Sequence, residues 1–253
     1  MKLEIGVSIY SIPHLDMTTL INFILNNDFK AIELWDSSLT ERPNRGYEDL
    51  NECGIEISIH GPLLDIGDTN FIKNNIRSLL ESIEMANRWG ANKFILHTGV
   101  YNGDRERAFN AARKVIESCV PLLEKTGIII CIENVGYHKN DLIRDFDQMK
   151  VFVDIFPKQC VGVVLDVAHA NIAGGVKEGI SSLGHRIKHI HLSDNNGYGD
   201  KENHHRPIGK GNIDFSVLSN LPNQYTAILE IEPRGDWETK LLESRIKLQN
   251  LGI

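Results

Sequence analysis

Residues 186–195 read "RIKHIHLSDN". In an extended chain Ile190 and Leu192 fall on one face, and His189 and His191 on the other. The run then stops on Ser193, Asp194 and Asn195, residue types that favour turns. An apolar strand thus carries a histidine to its end and releases it into a polar loop. The arrangement recurs: "ISIHGP" ends on His60, "FILHTG" on His97, "ICIENV" on Glu133, "VVLDVAH" on Asp166 and "AILEIEP" on Glu230. Six apolar runs each deliver a metal-ligating type of side chain where the strand stops.

Helical patterns lie between the runs. In "DTNFIKNNIRSLLESIEMANRWGA", Phe71, Ile72, Ile76, Leu79, Leu80, Ile83 and Ala86 recur at helical spacing and Gly90 marks the stop. "NDFKAIELW" and "KTGIIICIEN" show the repeating entry, a polar turn followed by a buried strand. The pattern predicts strands over 3–9, 30–35, 55–60, 93–97, 127–133, 161–166, 186–192 and 226–231. It predicts helices near 16–27, 45–52, 71–89, 104–125, 142–155, 174–183, 214–220 and 236–250. Eight strand–helix units in 253 residues make about 32 residues each, the length of a βα unit in a (β/α)8 TIM barrel. No Ser/Pro-rich linker splits the chain, so a single α/β domain over 1–253 is expected. A doubly wound open sheet is the alternative. It usually carries a glycine-rich phosphate turn after its first strand, and "SIYSIPH" is not one. The longest stretch without a clear element is 193–213, and long loops in compact domains tend to be functional.

Bulk composition narrows the class. The chain is 42% hydrophobic and 24% charged, as soluble globular domains are. "MKLEIGVSIY" reads as a first strand and lacks the apolar core of a signal peptide. No apolar run approaches the ~18–20 residues of a membrane span. The four cysteines, Cys53, Cys119, Cys131 and Cys160, form no C-x-x-C pair and read as reduced thiols of a cytoplasmic protein. Cys131 alternates with Ile129 and Glu133, which places it in the core. The net charge of −7 lacks the basic footprint of a nucleic-acid binder, so nucleic acid is not expected as a partner. The oligomeric state has no signature here.

Parallel barrel strands all point one way, and their C-terminal ends form the face that carries the active site. Side chains at the ends of different strands therefore meet despite long sequence gaps. Glu133, Asp166, His191 and Glu230 form the expected metal set. Carboxylates with imidazole suit Mn²⁺, Zn²⁺, Co²⁺, Fe²⁺ or Mg²⁺. Burying three carboxylates together without a cation would cost several kcal/mol or force protonation. His60, His97, His169 and His205 are candidates for a second metal or for substrate. His60 and His97 each have the alternative of a hydrogen-bonded pocket histidine. His189, one layer below His191, reads as a satisfied core residue, and His204 as solvated. Glu33 and Trp35 end the second strand as a candidate substrate wall, and Trp35 has the alternative of capping the barrel. Glu232 shares a face with Glu230 and rivals it. "PIGKG" reads either as a phosphate cradle using backbone N–H groups and Lys210 or as a glycine turn with a solvated lysine.

Taken together, "HGP", "LHTG", "IEN", "LDVAHA", "HLSDN", "HRPIGKGNIDF" and "LEI" resemble the xylose isomerase-like TIM-barrel superfamily. That group holds sugar isomerases and epimerases, inosose-processing enzymes and the apurinic endonuclease IV family. The match runs from the second strand to the eighth. The resemblance assigns the shared metal centre to Glu133, Asp166, His191 and Glu230. It also gives Glu133 and Glu230 the double duty of ligand and acid/base pair found in the epimerases. Endonuclease IV adds zinc ligands that fall on His60, His97, His169 and His205. Its remaining aspartate falls on Asn203, a neutral and poorer ligand, and its DNA-intruding aromatic falls on Leu63.

The resemblance therefore implies a divalent-metal-dependent sugar or sugar-phosphate isomerase or epimerase, acting on a small carbohydrate by proton abstraction beside a carbonyl. The alternative is an apurinic/apyrimidinic-site phosphodiesterase. A third class is a barrel that binds sugar or metal without catalysis, which the intact ligand set disfavours.

Overall fold

The computed structural model describes residues 3–12, 15–36, 48–136, 138–199, 205–221 and 225–253. Eight strands alternate with helices along the chain: β1 Glu4–Ser8, β2 Ala31–Trp35, β3 Glu56–His60, β4 Lys93–Leu96, β5 Ile129–Glu133, β6 Val161–Asp166, β7 Ile187–Leu192 and β8 Thr226–Leu229. Each pairs in parallel with the next, and β1 pairs in parallel with β8, so the sheet closes into a barrel. The expected (β/α)8 architecture is the observed one, and the open sheet is excluded.

The described helices are α1 Met17–Asn26, α2 Glu48–Glu52, α3 Ile72–Arg88, α4 Arg105–Thr126, α5 Phe146–Val153, α6 Val167–Ala173, α7 Val176–Leu183 and α8 Trp237–Asn250. Several begin on a capping carboxylate. Asp16, Asp104, Asp145 and Asp236 each accept from backbone N–H groups of the first turn, which supplies donors that the helix itself leaves unpaired. The longest, α4, ends on Gly127 with φ of 75°, a left-handed position suited to glycine.

The structure refines four expected segments. The helix predicted at 174–183 is α7, Val176–Leu183, and an unpredicted helix precedes it: Asp166 caps α6 directly off the end of β6, and Gly174 and Gly175 break the path before α7. The helix at 142–155 is confined to Phe146–Val153 by the Asp145 cap. The helix at 214–220 is a 3₁₀ helix, Phe215–Asn220. Of the helix at 45–52, Glu48–Glu52 is observed and 45–47 lie outside the described residues.

Two apolar layers follow from strand alternation. Outward strand residues such as Ile32, Leu34, Ile57, Ile59, Phe94, Leu96, Ile130 and Ile132 pack with helix residues such as Ile24, Leu79, Ile83, Val115 and Ile116 in one large core. Inside the barrel Ile95, Cys131 and Val164 form a separate small cluster with Ile129 against it. At the strand entries an interior ion pair joins Glu56 to Lys93, and the Thr226 hydroxyl donates to Glu56 at 2.6 Å. The opposite end carries the carboxylates and histidines.

Candidate metal centre

Glu133 closes β5, Asp166 closes β6, His191 is the penultimate residue of β7, and Glu230 immediately follows β8. Each offers a ligating atom, and these atoms all lie within 4.8 Å of one another. His191 Nδ1 stands 3.2 Å from Glu230 Oε2, 3.5 Å from Glu133 Oε2 and 3.9 Å from Asp166 Oδ2. All four residues are buried. His191 Nδ1 and Asp166 Oδ2 make no hydrogen bond. Three buried carboxylates and an imidazole, with two orphaned ligating atoms facing the cluster, fit a divalent cation held by oxygen and nitrogen.

The backbone around the set is braced. The Asn134 side chain donates to the Asp166 carbonyl at 3.0 Å and accepts from the Asp166 N–H at 2.9 Å. Asp166 Oδ1 accepts from the His169 N–H at 2.7 Å, so the same carboxyl caps α6. The asparagine of "IEN" carries no local sequence signal for this role; in the fold Asn134 ties the ends of β5 and β6 together.

A second group shares Glu133. His97 Nε2 lies 3.0 Å and His60 Nε2 3.7 Å from Glu133 Oε2, and these three residues also offer atoms within 4.8 Å of one another. His169 Nδ1 lies 3.3 Å from Glu133 Oε1 and 3.0 Å from the Asn134 carbonyl. His205 Nδ1 lies 3.0 Å from the Glu230 carbonyl, and its ring is 5.9 Å from that of His169. All four additional histidines thus gather at the same end of the barrel. Trp35 stacks on His60 at 4.7 Å and on Tyr10 at 6.0 Å, and Tyr10 approaches His205 at 5.4 Å, giving the mouth an aromatic side.

Glu33 departs from its expected place on the wall. It is fully buried beneath His191 because the strand alternation that turns it inward places it below the mouth. Its Oε2 faces His189 Nε2 at 3.1 Å and His191 Nε2 at 3.2 Å. The rival Glu232 pairs with Arg234 at 2.7 Å and stays outside the cluster. Leu63 is 67% exposed. Asn203 and His204 lie outside the described residues.

The loop after β7 is organised by Asp194. Its carboxylate accepts from the N–H groups of Gly209, Gly211, Ile213 and Asn195 at 2.8 to 3.3 Å. A Cβ on Gly211 would stand 2.1 Å from the Asn195 carbonyl, so the close approach requires glycine. The N–H groups that a phosphate would need from Gly209 and Gly211 are committed to Asp194, and Lys210 is exposed. "PIGKG" is therefore a clamped turn.

The charges shift one another strongly. Burial alone would raise the Glu133 carboxyl; His97 and His191 overcome it and hold Glu133 well below the ordinary range. Burial is likewise overcome at Glu230, chiefly by His191. For the imidazoles burial works downward. The neighbouring carboxylates reverse it, raising His97 through Glu133, His191 through Glu33 and Glu133, and His169 to about 9 through Asp166 and Glu133.

Known proteins resemble this chain at both levels. An uncharacterised protein of Methanocaldococcus jannaschii is 26% identical over 240 residues, covering 92% of each chain. A probable endonuclease 4 of Geobacillus sp. is 27% identical over 192 residues, 69% of this chain but 64% of that protein. Among solved structures, a D-tagatose 3-epimerase-like protein superimposes with a TM-score of 0.81 at 22% identity, covering 98% of this chain and 97% of that one. The IOLI protein, solved with a bound zinc atom, also gives a TM-score of 0.81, at 17% identity and 98% coverage of each chain. The family described as xylose isomerase-like TIM barrel matches residues 22–250. With that match spanning nearly all of a closed eight-stranded barrel, the chain belongs to the xylose isomerase-like TIM-barrel family.

Proposed function

We propose that the protein is a divalent-metal-dependent isomerase or epimerase of a small sugar or sugar phosphate, acting by proton abstraction beside a carbonyl. The observation that carries the reading is the convergence of two buried glutamates, Glu133 and Glu230, on His191 from strands five and eight. Glu133, Asp166, His191 and Glu230 would hold the cation. When bound, such a cation supplies Lewis-acid polarisation of adjacent carbonyl and hydroxyl oxygens, which acidifies the neighbouring carbon-bound proton. One glutamate takes that proton on its carboxylate oxygen. The other, ionised at rest, takes up a proton from solvent and returns it to the opposite face or to the adjacent carbon. His169 and His205 orient hydroxyl groups, and Trp35 with Tyr10 covers an apolar sugar face. The reading includes a cytoplasmic location, supported by four unpaired cysteines.

A second reading, abasic-site phosphodiester hydrolysis, is favoured by one observation: His60 and His97 crowd Glu133 as ligands of a second cation would. The net charge of −7 and the exposed Leu63 weigh against it. The two are separated by assaying the metal-loaded protein against a panel of ketoses and ketose phosphates and against an abasic-site duplex. Epimer or aldose formation, lowered roughly 10²–10⁴-fold in Glu133→Gln and Glu230→Gln at matched metal occupancy, supports the sugar reading. Duplex incision abolished by Glu133→Gln, with no sugar turned over, replaces it.

A further inference from the structure

Glu33 is a carboxylate with no access to solvent, set in the barrel interior where branched apolar side chains ordinarily sit. It belongs to β2 and reaches across to β7, a strand that is not its neighbour in the barrel. Its Oε2 lies 3.1 Å from His189 Nε2 and 3.2 Å from His191 Nε2, and accepts from the Ser58 hydroxyl at 3.2 Å. An ionised carboxylate only accepts, so the ring nitrogen that faces it must carry the hydrogen. For a ligating His191 that leaves the lone pair on Nδ1, the atom directed at Glu133, Asp166 and Glu230. A buried carboxylate is costly to keep, and an apolar residue of similar volume would fill the space without that cost.

We propose that Glu33 is a positioning residue for His191, holding the imidazole by Nε2 so that Nδ1 is presented to the metal centre. The inference rests on the metal-centre reading and extends it to a residue that touches neither substrate nor cation. His189 and Ser58 aim the carboxylate by donating to the same oxygen. Glu33 in turn fixes both the ring plane and the tautomer of His191. A carboxylate on the far nitrogen also raises the basicity of the ligating one.

The test uses zinc alone as the probe. Zinc affinity is measured by chelator competition for the wild type, Glu33→Gln, Glu33→Leu and His191→Ala. Imidazole nitrogens of His191 are read by ¹⁵N NMR in the zinc-loaded wild type. The proposal expects unchanged zinc stoichiometry with roughly 10–100-fold weaker binding in both Glu33 variants, and a His191 ring protonated at Nε2 and ligating through Nδ1. The NMR measurement needs no variant, so it decides the matter even if a Glu33 substitution fails to fold. Wild-type affinity in Glu33→Gln, or ligation by His191 through Nε2, overturns the proposal. Loss of one full zinc equivalent in Glu33→Gln, with the other bound as in wild type, also overturns it, since Glu33, His189 and His191 would then be ligands of their own site. Zinc binding undiminished in His191→Ala instead brings down the metal-centre reading beneath it.

Discussion

Glu133 is the most heavily used side chain of the site, shared between the cluster with Asp166, His191 and Glu230 and the group with His60 and His97. Its direction depends on the residue that follows it. Asn134 pairs with both backbone polar groups of Asp166, and those groups are buried. Asn134→Ala leaves a donor and an acceptor unpaired, each costing about 1–3 kcal/mol. The variant should melt several degrees lower by circular dichroism and bind zinc more weakly. A melt and a zinc affinity equal to wild type would remove Asn134 from the account. The ligand-type residues themselves were legible because each stands at the end of an apolar run. Asn134, Asp194 and the buried position of Glu33 were not, because their partners are backbone groups or side chains from distant strands. No local period records such partners.

Among the elements, the strands were read closely because β-rich apolar runs bounded by turns carry their own signal. Helix limits were read less closely, since caps such as Asp145 and Asp166 decide where a helix starts and their side-chain bonds are not visible in hydrophobic spacing. The strand entries hold a feature the sequence did not announce. Glu56 at the start of β3, Lys93 at the start of β4 and Thr226 at the start of β8 form one interior polar group. Burial would raise the Glu56 carboxyl, but Lys93 outweighs it and lowers the folded-state value. A depressed folded value adds stability above the unfolded carboxyl's pKa of about 4.3, and that stability is lost as pH falls through the folded value. Urea titrations of wild type and Glu56→Gln should therefore differ by about 1 kcal/mol at pH 7. The gap should narrow once pH drops below about 4. A gap that is constant from pH 7 to pH 3 would contradict the role given to this pair.

The whole molecule is layered along the barrel axis: a polar pair at the strand entries, the Ile95, Cys131 and Val164 belt in the middle, and the carboxylate–histidine cluster at the exits. The belt lies below the site, and Trp35 with Tyr10 forms an aromatic side of the mouth above it. No described helix is long and apolar enough to cross a membrane. The central claim is that Glu133 and Glu230 move a carbon-bound proton. It is tested most directly by incubating the metal-loaded protein with ketoses in D₂O and locating deuterium by NMR. The account predicts deuterium at the carbon beside the carbonyl, because the abstracted proton exchanges with solvent while it resides on the carboxylate. It predicts loss of that label in Glu133→Gln and Glu230→Gln. Product formed without solvent deuterium would mark a hydride shift and would contradict the proton-transfer roles of both glutamates.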